Sequence, residues 1–223
     1  MNTLHIQARQ IYLKSCHSFL GQLKYYSMKN LIKITLIFFV IFTASASKKV
    51  LFLGDSLTEG YGVAKESAYP IVLKEVLKKQ HKIDITVLNG SVSGSTTASS
   101  LSRLKWFLRA RPEILILALG ANDGLRGIDL ASSKENLSKT ISLAKEKGLT
   151  IVLAGMYIPP NYGPKYTSEF KQMYQDLQKK FDLVLIPFLL EGVAANKDLN
   201  ISDGIHPNEL GHKKIAQNLI PFL

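Results

Sequence analysis

The chain has 223 residues, 46% of them apolar and 20% charged, which is enough for one α/β domain with a buried core and excludes a disordered chain. The formal net charge is +11, but the lysines stand among Glu and Asp as on solvated helix faces, without the clustered Arg and interleaved aromatics of a nucleic-acid surface. The sole cysteine, Cys16, falls in the N-terminal region, so the domain that follows has no disulfide, cysteine metal site or thiol nucleophile.

Residues 1–46 carry five basic side chains and no acidic one. Met28-Lys29-Asn30-Leu31-Ile32-Lys33 is a short basic segment, Ile34 to Phe42 is apolar, and Thr43-Ala44-Ser45-Ala46 ends in an A-x-A pattern. That is the layout of a secretory signal peptide. The apolar stretch is shorter than the about 20 residues a spanning helix needs. The expectation is therefore an over-extended start at 1–27, a signal peptide at 28–46 cleaved after Ala46, and a single domain at 47–223. Such a protein is periplasmic or secreted, with no stable membrane anchor after cleavage.

From Lys49 onward, strand and helix patterns alternate. Lys49–Gly54 is an apolar β-rich run, and Gly54-Asp55-Ser56-Leu57 closes it. Ser67–Gln80 has apolar residues at helical spacing. Ile83–Leu88 reads as a strand, followed by Ser93-Gly94-Ser95. Thr97–Ala110 reads as a helix with Leu101, Leu104 and Leu108 on one stripe. Glu113–Leu119 is the run of a strand buried on both faces, followed by Gly120-Ala121-Asn122-Asp123, a turn-former by composition. Ser132–Lys147 reads as a helix capped by Gly148, Leu149–Ala154 as a strand, Tyr166–Phe181 as a helix and Leu183–Ile186 as a short strand. Asp203-Gly204-Ile205-His206-Pro207 then leads into a helix ending at Leu219. This alternation predicts a parallel five-stranded sheet covered by helices on both faces, with ligands beyond the strands' carboxyl ends. Ser56, Gly94 and Asn122 each follow a predicted strand and so can converge.

Ser56 is the candidate nucleophile, and a serine needs a base within reach. Of the histidines in 47–223, His81 lies in a solvated Lys/Gln-rich stretch, and His212 falls in the last helix, where a surface or capping role is expected. His206 precedes Pro207 and so belongs to a loop. Asp203, three residues before it, can reach the imidazole in a tight turn and orient it. The Ser56 and Gly94 N–H groups and the Asn122 amide are candidate donors to an oxyanion. Gly94, without a side chain, lets a substrate approach the backbone.

These blocks resemble the SGNH, or GDSL-type, hydrolase superfamily over the whole of 48–223. The likeness is greatest to its branch of bacterial thioesterase I, arylesterase and lysophospholipase L1 enzymes. Gly120-Ala121-Asn122-Asp123-Gly124-Leu125-Arg126-Gly127, Ile158-Pro159-Pro160-Asn161-Tyr162-Gly163 and Ile186-Pro187-Phe188 carry that closer likeness. The resemblance implies a flavodoxin-like three-layer α/β/α fold and no metal or organic cofactor. It also implies Ser56 as nucleophile, His206 as base, Asp203 as its orienting acid, and Ser56, Gly94 and Asn122 as the oxyanion hole. Ser95, Ser99 and Ser100 depart from the residues common in the second block.

The expected substrates are small acyl esters and thioesters, lysophospholipids among them. The apolar segments containing Leu125, Ile158 and Pro159 are expected to form the acyl-side wall. Two other readings compete. One is a carbohydrate O-acetylesterase on the same fold and triad. The other is a non-enzymatic flavodoxin-like binder whose Ser56, Thr58 and Gly60 cradle a phosphate.

Overall fold

An uninterrupted aliphatic run forms a strand only where both faces of the sheet are covered. Leu51, Phe52 and Leu53 in one run and Leu115, Ile116 and Leu117 in another are wholly buried. In the computed structural model, which describes residues 47–223, they form the centre of a sheet. Its strands are β1 (Lys48–Gly54), β2 (Ile85–Asn89), β3 (Ile114–Ala118), β4 (Thr150–Ala154) and β5 (Val184–Ile186). The expected over-extended start and signal peptide lie outside the described residues.

All pairings are parallel, in the order β2-β1-β3-β4-β5. The helices are α1 (Ser56–Glu59), α2 (Tyr69–Val76), α3 (Ser100–Phe107), α4 (Ala121–Leu125), α5 (Leu130–Glu146), α6 (Pro164–Phe181) and α7 (Glu209–Leu219). Helices α2 and α7 pack together on one face; α3, α5 and α6 pack in succession on the other. The result is the expected three-layer α/β/α arrangement. The chain leaves β1 and β3 toward opposite faces, so a crevice opens beyond their carboxyl ends. Gly54 and Ala118, at those ends, are register partners.

Two helix starts differ from expectation, and in each a distant side chain decides. The helix expected from Ser67 begins at Tyr69. Ser67 Oγ donates to Glu209 Oε1 at 3.1 Å, and the Tyr69 N–H donates instead to His212 Nδ1 at 3.3 Å. His212 is thus fully buried, which overturns the surface half of its expected role and bears out the capping half, on a neighbouring helix. The helix expected over 97–110 opens and closes with 3₁₀ turns, leaving a shorter α-helical centre. At its start, Asp123 carboxylate oxygens accept from the Thr97 N–H at 2.9 Å and hydroxyl at 2.6 Å. Ser100 donates to the Thr97 carbonyl at 2.6 Å, which gives that departure from the family pattern a packing role.

Candidate active site

The nucleophile candidate sits on a helix of one turn. Asp55 caps it, its Oδ1 accepting from the Leu57 N–H at 3.1 Å, and Gly60 ends it in the left-handed region at φ 94°. Thr58 is buried, and its hydroxyl pairs with the Tyr69 hydroxyl at 3.0 Å. The hydroxyl of Thr58 is therefore unavailable to a phosphate. The Gly60 N–H is spent on the Ser56 carbonyl. The cradle reading loses two of its three members.

The loop bearing the base is closed by a bridge between Asn200 and Pro207. Within it, Asp203 Oδ1 accepts from the N–H groups of Ile205 at 2.8 Å and His206 at 2.9 Å. That turn brings Asp203 Oδ2 to 2.7 Å from His206 Nδ1, while His206 Nε2 lies 2.9 Å from Ser56 Oγ. The backbone N–H of His206 is the largest of several hydrogen-bond and charge effects that hold the Asp203 carboxyl down at about 2. Asp203 is therefore an anion at neutral pH. With Nδ1 paired to that anion, Nε2 is left to face the serine. Asn208 caps α7, accepting from the Gly211 N–H at 3.0 Å, so the base loop ends where a rigid helix begins.

The three donor candidates converge. Asn122 lies in the first turn of α4, a correction to the plain turn expected there. Its Nδ2 donates to the Ser95 carbonyl at 3.1 Å and, across a longer 3.4 Å, to Asp55 Oδ2. Gly94 lies in a loop tied to the end of β1 by the Val92 N–H, which donates to the Gly54 carbonyl at 3.2 Å. Among the described residues, the N–H groups of Ser56 and Gly94 have no hydrogen-bond partner. Asp55 beneath them is buried, and that burial lifts its carboxyl to about 6 against the hydrogen bonds that favour its anion.

Glycine is required next to two of these residues. At Gly120, before Asn122, φ is 123° and a Cβ would lie 2.1 Å from the Tyr174 hydroxyl. At Gly54 a Cβ would lie 2.2 Å from Thr58 Oγ1.

The two segments expected to form the acyl-side wall pack against each other. Tyr162 donates its hydroxyl to the Leu125 carbonyl at 2.7 Å, and Tyr166 to that of Ile128 at 2.8 Å. Ile158 is half-buried against Gly124. Leu125 and Pro159 are exposed. Sequence reasoning missed Tyr61, whose ring lies 4.6 Å from that of His206. Only its place five residues after Ser56 could have pointed to it.

Comparison with known proteins follows the same blocks. The GDSL-like lipase/acylhydrolase family matches residues 52–214. An arylesterase of Vibrio mimicus is 39% identical over 191 residues, covering 85% of this chain and 95% of that protein. The thioesterase 1/protease 1/lysophospholipase L1 of Escherichia coli K12 is 36% identical over 176 residues, 78% of this chain and 83% of that protein. A crystal structure of TesA superposes with a TM-score of 0.75 at 33% identity, covering 79% of this chain and 98% of that one.

Proposed function

The chain belongs to the GDSL-like lipase/acylhydrolase family, and on that premise we propose that Ser56 is the nucleophile of a hydrolase of fatty acyl esters and thioesters. Relatives named arylesterase and thioesterase support the reaction class. The observation that carries the assignment is the relay from Ser56 Oγ to His206 Nε2 at 2.9 Å and from His206 Nδ1 to Asp203 at 2.7 Å.

The chemistry follows from that relay. His206 Nε2 takes the Ser56 proton as Oγ bonds to the acyl carbon. Charge moves to the carbonyl oxygen, which the Ser56 and Gly94 N–H groups and the Asn122 amide receive. Asn122 exchanges its long bond to Asp55 for this stronger one. The imidazolium, stabilised by Asp203, protonates the departing alcohol or thiol as the acyl–oxygen or acyl–sulfur bond breaks. Water, deprotonated by His206, then attacks the acyl-enzyme; the acyl–Oγ bond breaks, His206 returns the proton to Ser56 Oγ, and the acid is released.

The acyl chain lies along Leu125, Ile158 and Pro159, whose apolar surface favours medium and long chains over acetyl. Arylesters, acyl thioesters and lysophospholipids all present such a chain. The test is a hydrolysis profile over p-nitrophenyl esters of rising length, acyl-CoAs, lysophospholipids and acetylated sugars. The reading predicts turnover of octanoyl and longer esters. Turnover confined to acetylated sugars would contradict it.

We further propose a periplasmic or secreted protein with Ser47 as its mature first residue, a reading supported by the basic, apolar and A-x-A order of residues 28–46. Intact mass of exported protein checks this: retention of the apolar stretch would make it an anchor instead.

A further inference from the structure

Three consecutive residues of the loop after β2 are each held by a side chain from another element. Glu59, the last residue of α1, accepts from the Ser93 N–H at 2.7 Å and from the Ser93 hydroxyl. Arg126, directly after α4, donates Nη2 to the Gly94 carbonyl at 3.0 Å. Asn122 donates to the Ser95 carbonyl. Gly94 stands in the left-handed region at φ 75°, and its own N–H is without a partner among the described residues.

The turn already has its own backbone bond, from the Ser95 N–H to the Val92 carbonyl at 3.1 Å. Two charged side chains exceed what a turn needs. Peptide units are planar. Glu59 fixes the plane before the Ser93–Gly94 peptide, and Arg126 fixes the plane after it. The unit between them, which carries the Gly94 N–H, is thereby held from both sides. Hydrogen bonds to ionised groups are stronger than neutral ones, which suits the task. Both side chains are exposed, so neither is part of the core.

We infer that Glu59 and Arg126 are positioning residues that aim the Gly94 N–H at the point where the substrate's carbonyl oxygen gathers negative charge. The inference rests on the proposed role of Gly94 as an oxyanion donor. It assigns to two surface charges a share in the rate of the chemical step and none in substrate affinity. The Glu59 clamp also links the nucleophile's helix to the donor loop, so that Ser56 and Gly94 keep one relative placement.

The experiment measures kcat and KM on a p-nitrophenyl ester for wild type, Glu59→Ala, Glu59→Gln, Arg126→Ala and Arg126→Lys. Active sites are counted with a fluorophosphonate. Affinity for a trifluoromethyl ketone, whose adduct bears an oxyanion, is measured in parallel. Each alanine variant should lose at least about tenfold in kcat, less than the hundredfold or more that removing a donor costs. KM should stay within about twofold, and ketone affinity should fall in step with kcat. Gln keeps an acceptor for Ser93, and Lys keeps a donor for Gly94, so both should recover much of the loss. Arg126→Met keeps the aliphatic stem and repeats the test should Arg126→Ala fold poorly. Alanine variants with kcat within about twofold of wild type, or a fall in kcat with ketone affinity unchanged, would overturn the inference. A wild type that neither hydrolyses esters nor reacts with the fluorophosphonate would instead overturn the hydrolase assignment on which it rests.

Discussion

A serine hydroxyl gives up its proton at neutral pH only to a base within hydrogen-bond reach, and the group at that reach from Ser56 Oγ is His206 Nε2 at 2.9 Å. The pair was legible because Asp203 and His206 stand three residues apart in one turn, where the local backbone brings them together. Tyr61 against His206, Asp55 beneath Asn122, and Glu59 and Arg126 around Gly94 were not. Each depends on a partner that only the folded sheet supplies. Asn122→Ala should fold as the wild type does, because it loses only a long bond to Asp55 and one to the Ser95 carbonyl, in a turn that keeps its own Ser95–Val92 backbone bond. It should lose on the order of a hundredfold to a thousandfold in kcat. Near-normal kcat on a p-nitrophenyl ester would return Asn122 to a purely structural role.

Among the elements, α1 has only four residues, too few to hold a helix on propensity alone. Its cap at Asp55, its end at Gly60 and the Thr58–Tyr69 hydrogen bond hold it instead. Asp123 does comparable work on the opposite side. It takes the Thr97 N–H and hydroxyl, and the Ser133 hydroxyl at 2.9 Å, joining the 3₁₀ turn ahead of α3 and the first turn of α5 to α4. Asp123→Ala would leave the buried Thr97 N–H without an acceptor, at a cost of about 1–3 kcal/mol. A lowered urea midpoint with an unchanged slope checks this, and an unchanged midpoint would contradict it. Strand positions were readable because β1 and β3 are buried on both faces. Helix starts at 69 and 100 were not, since His212 and Asp123 come from far along the chain.

For the whole molecule, two buried groups set opposing pH dependences. Burial raises the Asp55 carboxyl to about 6. The folded protein thus keeps a proton there that the unfolded chain releases above its ordinary value of about 4. That contribution is fully present below about pH 4 and lost as pH rises toward 6. His212 is the reverse: burial, then the charge of His206, lowers it to about 4. Its contribution is fully present above about pH 6.5 and lost as pH falls toward 4. The two offset in the wild type. His212→Gln should therefore lose stability as pH rises from 4 to 6, and Asp55→Asn should gain it. Urea midpoints across that range check both signs, and parallel profiles for the two variants would contradict the account. The order β2-β1-β3-β4-β5 brings Ser56, Gly94 and Asn122 to one edge. The alternation of patterns implied that edge without naming the neighbours on it.

Activation of Ser56 by His206 is read out by labelling with a fluorophosphonate. The wild type should be modified at Ser56 alone, located by mass spectrometry of peptides. His206→Ala, folded as judged by circular dichroism, should resist the same reagent. Modification of a different serine, or equal labelling of Ser56 in His206→Ala, would contradict the account.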